Sequence, residues 1–192
     1  MKSDTVNLDN YTIKDIPGSS GRLDVVSRCI LAALLNKKNF DENMQFIIFF
    51  KKYGTYKFDP VYLNYSTFPK DELLLSDLLC KLIKNFDINK EFRNPLNPIK
   101  KKNISLLRSL KELQKKGKNI FLLKESGLPF SKLIDKIKLN KELYLIIGNQ
   151  SEDFINSFEF LELNIPEISL GTKSLLASTV IRLLKIKLVF FL

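Results

Sequence analysis

The chain predicts a single α/β domain spanning residues 1–192, built on a mainly parallel sheet flanked by helices. Three features carry this expectation. Unbroken apolar runs at 45–50, 120–123 and 143–147 have the length and composition of strands covered on both faces. The stretches between them repeat apolar residues at helical spacing, and glycines stand at the joints, Gly117 before one run and Gly148 after another. At 192 residues and 45% hydrophobic, the chain is long enough to bury one substantial core.

The first helix starts after Ser19, Ser20 and Gly21 and runs to about Asn36, with Leu23, Val26, Cys29, Ile30, Ala33 and Leu34 on one face. The apolar run 45–50 reads as a buried strand. A second strand is expected over 56–65, with an edge or bulge at Pro60. Leu74, Leu75, Leu78, Leu79 and Leu82 mark the inner face of a helix over 71–85. Residues 87–103 hold Pro95, Pro98 and the consecutive Lys100, Lys101 and Lys102, so they read as a loop. Beyond it come a helix over 104–116 stopped by Gly117, a strand over 120–123, a short helix around Leu133 and a strand over 143–147. A last strand over 167–170 leads into a closing helix from Lys173.

Composition narrows the chemistry. The chain has no histidine, which removes the commonest general base, the usual zinc ligands and every Ser-His or Cys-His nucleophilic pair. No metal site is expected. A net charge of +10, from 31 basic and 21 acidic residues, suits a polyanion such as RNA, although lysine far outnumbers arginine, as a biased genome alone would produce. Cys29 and Cys80 lie within apolar helical stretches without a secretory signal before them, which points to free thiols and a reducing cytoplasm. The greasy ending after Val180 is broken by Arg182, Lys185 and Lys187 and is shorter than the roughly 20 residues of a membrane span. It reads as a buried or partner-packed helix.

Three predicted strands end in loops, at 123–127, 148–151 and 170–173, and ligands of open α/β sheets bind outside the carboxyl ends of the strands. Neither G-x-G-x-x-G nor G-x-x-x-x-G-K-[ST] occurs, so a nucleotide-like ligand would be held by backbone amides and carbonyls.

The segment D-I-P-G-S-S-G-R-L-D-V-V-S-R-C, from Asp15 to Cys29, closely resembles the D-L-P-G-S-x-G-R-L-D-x-x-x-R-C stretch of the archaeal TrmY family. Gly117-Lys118-Asn119-Ile120 is similar to that family's G-K-N-I, Ile146-Ile147-Gly148 to its I-I-G-D-H, and Ser169-Leu170-Gly171 to its S-L-G-P, all in the same order. The resemblance implies a SPOUT-class enzyme that transfers a methyl group from S-adenosylmethionine to N1 of pseudouridine 54 in the tRNA T loop. It also implies an α/β knot at the C-terminal end, a homodimer joined through the closing helix, and the T arm of tRNA as partner. On the same resemblance, Leu123, Glu125, Ile147, Gly148, Leu170, Gly171, Leu175 and Leu176 would hold the cofactor. Asp24 and Arg22 would be catalytic, and Arg28, Lys100, Lys101 and Lys102 would contact RNA.

The chemistry of the residues agrees with that assignment. The N1 proton of pseudouridine must leave as the nitrogen attacks, which calls for a positioned carboxylate or another acceptor, and Asp24 is the candidate. Arg22 and Arg28 suit phosphate or charge developing on the uracil carbonyls. The bland alternatives are a helix-start aspartate, core cysteines and solvated lysines.

The sequence departs from the family pattern at named places. Asn149 and Gln150 replace an acid and a histidine, Thr172 a proline, Leu176 and Thr179 two histidines, and Val180 a cysteine. The P-D-E-R stretch appears as Pro69-Lys70-Asp71-Glu72-Leu73, without its arginine. Members of that family begin with a complete apolar strand, whereas here only Met1 to Leu8 precede the equivalent region, so either an edge strand is missing or the start is misread. Two further readings stay open: an RNA-binding protein of this fold with impaired catalysis, and a methyltransferase for another RNA site.

Overall fold

The computed structural model describes residues 1–85, 94–133, 142–147 and 154–191. They form two compact units, one of Ser3–Asn103 and one of Met1–Lys2 with Ile104–Leu192.

The first unit carries a four-stranded sheet in the order β1 (Lys2–Ser3), β2 (Phe46–Phe50), β3 (Gly54–Phe58) and β4 (Lys100–Lys102). An edge strand is therefore present, two residues long. Pairing of β2 with β3 and of β3 with β4 is antiparallel, so the parallel expectation does not extend to this sheet. For β2 and β3 the short connection at 51–53 is the reason, since only antiparallel neighbours can be joined by so tight a turn. Its helices are α1 (Ile16–Ser19), α2 (Leu23–Leu34) and α3 (Glu72–Asn85). The predicted face of α2 is the buried one, with Leu23, Val26, Cys29, Ile30, Ala33 and Leu34 all in the core. On α3 Leu75, Leu79 and Leu82 are buried, whereas Leu74 is exposed, one position off the inward stripe. A buried hydroxyl pair, Ser76 Oγ donating to Ser27 Oγ at 2.7 Å, ties α3 to α2.

Two expectations need correction here. The strand expected over 56–65 stops at Phe58, because Pro60 has no N–H for a ladder and instead opens a 3-10 turn, Pro60–Tyr62, capped by the Asp59 carboxylate. Lys100, Lys101 and Lys102 are not loop but strand, paired with Lys57, Tyr56 and Thr55. Lysine is a residue that an outermost strand accepts, since its charge discourages further edge pairing.

The second unit holds a parallel sheet in the order β6-β5-β7, with β5 at Asn119–Pro129, β6 at Leu143–Ile147 and β7 at Glu167–Ser169. Here the parallel expectation is met. Around it lie α4 (Leu106–Lys115), α5 (Phe158–Leu161) and α6 (Ala177–Phe191). Ser105 caps α4 by accepting the Arg108 N–H at 3.2 Å. The closing helix begins at Ala177 rather than Lys173. Phe121, Phe130, Ile168 and Leu184 form the core of this unit, with Leu123, Leu143, Leu145, Leu170 and Leu188 packed against it, so α6 covers one face of the sheet.

Strand β5 is longer than its apolar run. It pairs with β7 through Leu122 and Leu123, bulges, and pairs again through Leu128 and Pro129, Ile168 being the partner on both sides of the bulge. Gly127 makes this approach possible, because a Cβ there would lie 2.6 Å from the Ile168 nitrogen.

Candidate active site

Two clusters match the residues singled out by sequence, one in each unit. In the first, residues 18–22 make a turn that aims side chains at the start of α2. The Asn7 N–H donates to Ser20 O at 3.0 Å, and Thr5 Oγ1 donates to Gly21 O at 2.8 Å. Gly21 has φ +59°, and a Cβ on it would sit 1.9 Å from Thr5 O, so no other residue fits. Arg22 follows with φ 74° and ψ 38°, a left-handed conformation that costs a residue with a Cβ of order 1 kcal/mol or more. Ser20 Oγ offsets part of this by accepting the Leu23 N–H at 3.0 Å, one of the first-turn donors left without a partner inside the helix.

That conformation folds Arg22 back onto Asp24. Arg22 Nε donates to Oδ1 at 3.1 Å and its Nη2 to Oδ2 at 3.2 Å, a two-point clasp. Arg28, one helical turn on, donates from Nη2 to the same Oδ2 at 2.7 Å. The carboxylate is almost fully buried, with 4% of its side chain exposed, while the Arg22 side chain is 43% exposed. A buried carboxylate thus holds an accessible guanidinium. The hydrogen bond to Asp24, then its charge, raises the Arg22 pKa further, so Arg22 is a permanent cation and donor.

Glu72, at the start of α3, completes the cluster from outside the predicted set. Its Oε2 lies 3.3 Å from Arg28 Nε, close enough for an ion pair although too poorly aligned for a hydrogen bond. Arg28, with 32% of its side chain exposed, is thus engaged by two carboxylates. The P-K-D-E stretch was the available signal for Glu72. Lys100 and Lys102 are exposed on one face of β4, whereas Lys101, half-buried, points to the other.

In the second unit three strand ends converge. Leu123 is in register with Ile147, the last residue of β6, and with Ile168 of β7, so the end of β6 lies level with the point where β5 enters its bulge beside β7. Leu123, Ile147 and Leu170 are half-buried, Glu125 is exposed on the bulge, and Gly171, Leu175 and Leu176 are exposed beyond β7. Gly148 lies outside the described residues. At Gly171 φ is +155°, and among the described residues nothing stands within 4 Å of where a Cβ would be. The Ser169 hydroxyl fixes this turn, accepting the Gly171 N–H at 3.1 Å and donating to Gly171 O at 2.8 Å. Ligands of open α/β sheets bind outside the carboxyl ends of the strands, which is where the predicted cofactor residues of the described segments stand. A separate depression of ≈ 190 Å³, lined by Leu122, Lys124, Phe160 and Asn164 among others, involves none of these residues. Leu122 and Lys124 alternate with Leu123 and Glu125 along β5.

Among the described residues no cluster could hold a metal ion, and no helix is long and apolar enough to cross a membrane. Cys29 and Cys80 are free and buried, and burial pushes each thiol up to about 11.

Two arrangements thus stand on the α/β fold, strand ends without a phosphate-binding loop in one unit and an arginine-clasped carboxylate on a glycine turn in the other. Comparison with known proteins gives the class. A family profile described as "Putative SAM-dependent RNA methyltransferase" matches residues 2–189. The chain belongs to this family of S-adenosylmethionine-dependent RNA methyltransferases. Among curated proteins it is 25% identical over 184 residues to a tRNA (pseudouridine(54)-N(1))-methyltransferase of Thermococcus onnurineus (strain NA1), covering 90% of this chain and 86% of the relative. Among solved structures it resembles Archaeoglobus fulgidus Nep1 bound to S-adenosylhomocysteine, with a TM-score of 0.58 and 19% identity, over 88% of this chain and 70% of that one. The second likeness establishes a shared α/β fold.

Proposed function

We propose that this protein methylates N1 of pseudouridine 54 in the T loop of tRNA, using S-adenosylmethionine. The observation that carries the reading is the Arg22–Asp24–Arg28 cluster on its glycine turn, within a chain that matches a relative of that named activity along nearly its whole length.

When bound, the cofactor supplies a methyl group already activated by its sulfonium. Leu123, Ile147, Gly148, Leu170 and Gly171 would hold its adenine end through main chain and apolar contact, with Leu175 and Leu176 beside them. Glu125 offers an acceptor for ribose hydroxyls. Arg22 does the electrostatic work on the target base, its exposed guanidinium meeting negative charge that develops on the uracil ring as the N1 proton leaves. Asp24 holds that guanidinium in place and also accepts Arg28. With both carboxylate oxygens already accepting N–H bonds, orientation is its principal contribution, and a remaining lone pair receives the proton directly or through water.

The same reading includes a C-terminal knot, a homodimer and a reducing cytoplasm. Exposed Ile186, Val189 and Phe190 on α6 support a subunit interface, at 53%, 81% and 80% exposure. Buried reduced thiols suit the compartment.

The test is transfer of labelled methyl to two T-arm RNAs that differ only in pseudouridine or uridine at position 54. Incorporation into the pseudouridine RNA alone supports the reading. Absence of incorporation into either, from folded protein that binds both, replaces it with the RNA-binding reading. Incorporation into another RNA alone moves the site.

A further inference from the structure

The 3-10 turn Pro60–Tyr62 exposes two apolar side chains in succession, Val61 at 73% and Tyr62 at 51%. Lys100 Nζ lies 4.1 Å from the centre of the Tyr62 ring, and three residues on, Lys70 Nζ lies 4.3 Å from the centre of the Tyr65 ring. A cation over an aromatic face is attracted by the ring quadrupole. The turn that presents Tyr62 is stiff, because Asp59 accepts from the Val61 N–H at 3.3 Å, from Lys57 Nζ at 3.1 Å and from Gln45 Nε2 at 2.8 Å. Lys57 stands directly opposite Lys100 on the same face of the sheet, but its charge is answered by Asp59. Lys102, two residues beyond Lys100, projects from that face and is exposed.

An edge strand of lysines is sufficiently explained as a guard against edge pairing. That role does not explain a rigid turn holding a tyrosine half in solvent beneath one of those lysines. Single-stranded nucleic acid is bound by this combination of an aromatic face on which a base stacks and cations along the phosphates. An enzyme that must reach one base of a folded RNA meets such unstacked bases in the loop.

We propose that Tyr62 is a stacking platform for an unstacked base of the RNA substrate, with Lys100 and Lys102 taking the adjoining phosphates. The proposal rests on the RNA-methyltransferase reading above. The platform is made before RNA arrives, so little ordering opposes its use.

The experiment measures binding of a T-arm hairpin to the full chain by fluorescence anisotropy over a range of salt, alongside methyl transfer to the same hairpin. Tyr62→Ala is expected to weaken binding about 5- to 150-fold, the range measured for loss of one stacked base, and to raise the KM for RNA. Tyr62→Phe keeps the ring and is expected to bind within about twofold of the parent. Lys100→Ala with Lys102→Ala should lower the slope of log affinity against log salt by about 1.4, for two phosphates of a single strand. Parent-like binding by Tyr62→Ala, from a chain that binds and methylates the hairpin, overturns the platform. If the parent binds the hairpin without methylating it and Tyr62→Ala weakens that binding, the platform stands and the activity assignment falls.

Discussion

Replacing Asp24 by asparagine tests the centre of the proposed site while keeping its shape. The carboxylate accepts one bond from Arg22 Nε, one from Arg22 Nη2 and one from Arg28 Nη2. In Asp24→Asn one oxygen survives, and an amide N–H₂ takes the other place, facing donors. If the amide turns its nitrogen toward Oδ2's position, two of the three bonds are lost; the opposite flip loses one. A hydrogen bond to a charged group contributes about 1.5 to 3 kcal/mol, but side-chain exposures of 43% for Arg22 and 32% for Arg28 let water take over part of the loss. The expected destabilisation is therefore about 2 kcal/mol, read as a shift in the denaturant midpoint at unchanged slope. Freed from its clasp, the Arg22 guanidinium no longer waits at a fixed position, and the methyl-transfer rate should fall about 10- to 100-fold, corresponding to roughly 1.4 to 2.7 kcal/mol of transition-state stabilisation. Cofactor affinity should stay within about twofold, because the predicted cofactor residues belong to the other compact unit. A folded Asp24→Asn protein that methylates pseudouridine RNA at the parent rate would remove both the orienting and the proton-accepting role.

Gly127→Ala should destabilise the protein by about 1 to 3 kcal/mol, the usual cost of overpacking, because its Cβ would lie 2.6 Å from Ile168 N; calorimetry that shows no loss would mean the bulge relaxes freely. The same substitution should weaken S-adenosylmethionine binding by moving Leu123 and Leu170 apart, as titration calorimetry would record. Gly21→Ala adds a left-handed backbone penalty to a clash with Thr5 O and should lower both stability and methyl transfer. For Cys29 and Cys80, burial raises the folded pKa to about 11, from about 9 in the open chain. The folded state keeps two protons that the unfolded state releases between those values, so stability is intact below pH 9 and falls as pH rises to 11, by up to about 2.7 kcal/mol per pH unit for the pair. Replacing both cysteines with alanine should flatten that part of the urea-unfolding profile.

Contiguity decided what the sequence disclosed. Arg22, Asp24 and Arg28 lie on one turn and one helix, and the spacing of Leu23, Val26, Cys29 and Ile30 alone settled which face of α2 is buried. Glu72 joins them only through packing of α3 on α2, a relation no local period encodes. The strand at 143–147 was legible to the residue because its apolar run begins and ends with the pairing. On β5 the pairing outlasts the run: Lys124, Glu125 and Ser126 are the polar content of a bulge, and the strand resumes because β7 is alongside. Its local sign was the isolated Gly127, which marks close backbone approach as often as it marks a turn. Lys100 to Lys102 misled for a related reason. Propensity counts three charges against a strand, whereas an outermost strand with one neighbour accepts them.

Several departures from the family pattern fall beside positions where the proposed grip on the cofactor is through main chain. Thr172 stands at a proline whose fixed φ would stiffen the turn after β7, yet the Ser169 hydroxyl bonds both the N–H and the carbonyl of Gly171 and restrains the same turn from the other side. Leu176 and Thr179 stand at histidines, but the register that joins Leu123 to Ile147 and Ile168 is a backbone property, indifferent to both. A cofactor gripped by main chain makes its demands on strand ends and glycines, and these are retained. On the proposed reading, charge stabilisation at the target base is a separate demand that falls to Arg22, a guanidinium that never loses its proton, rather than to an imidazole. The absence of histidine therefore removes a proton shuttle without removing the cradle or the cation, and the reaction that remains possible is one in which the methyl donor is already activated and the protein has chiefly to position and polarise.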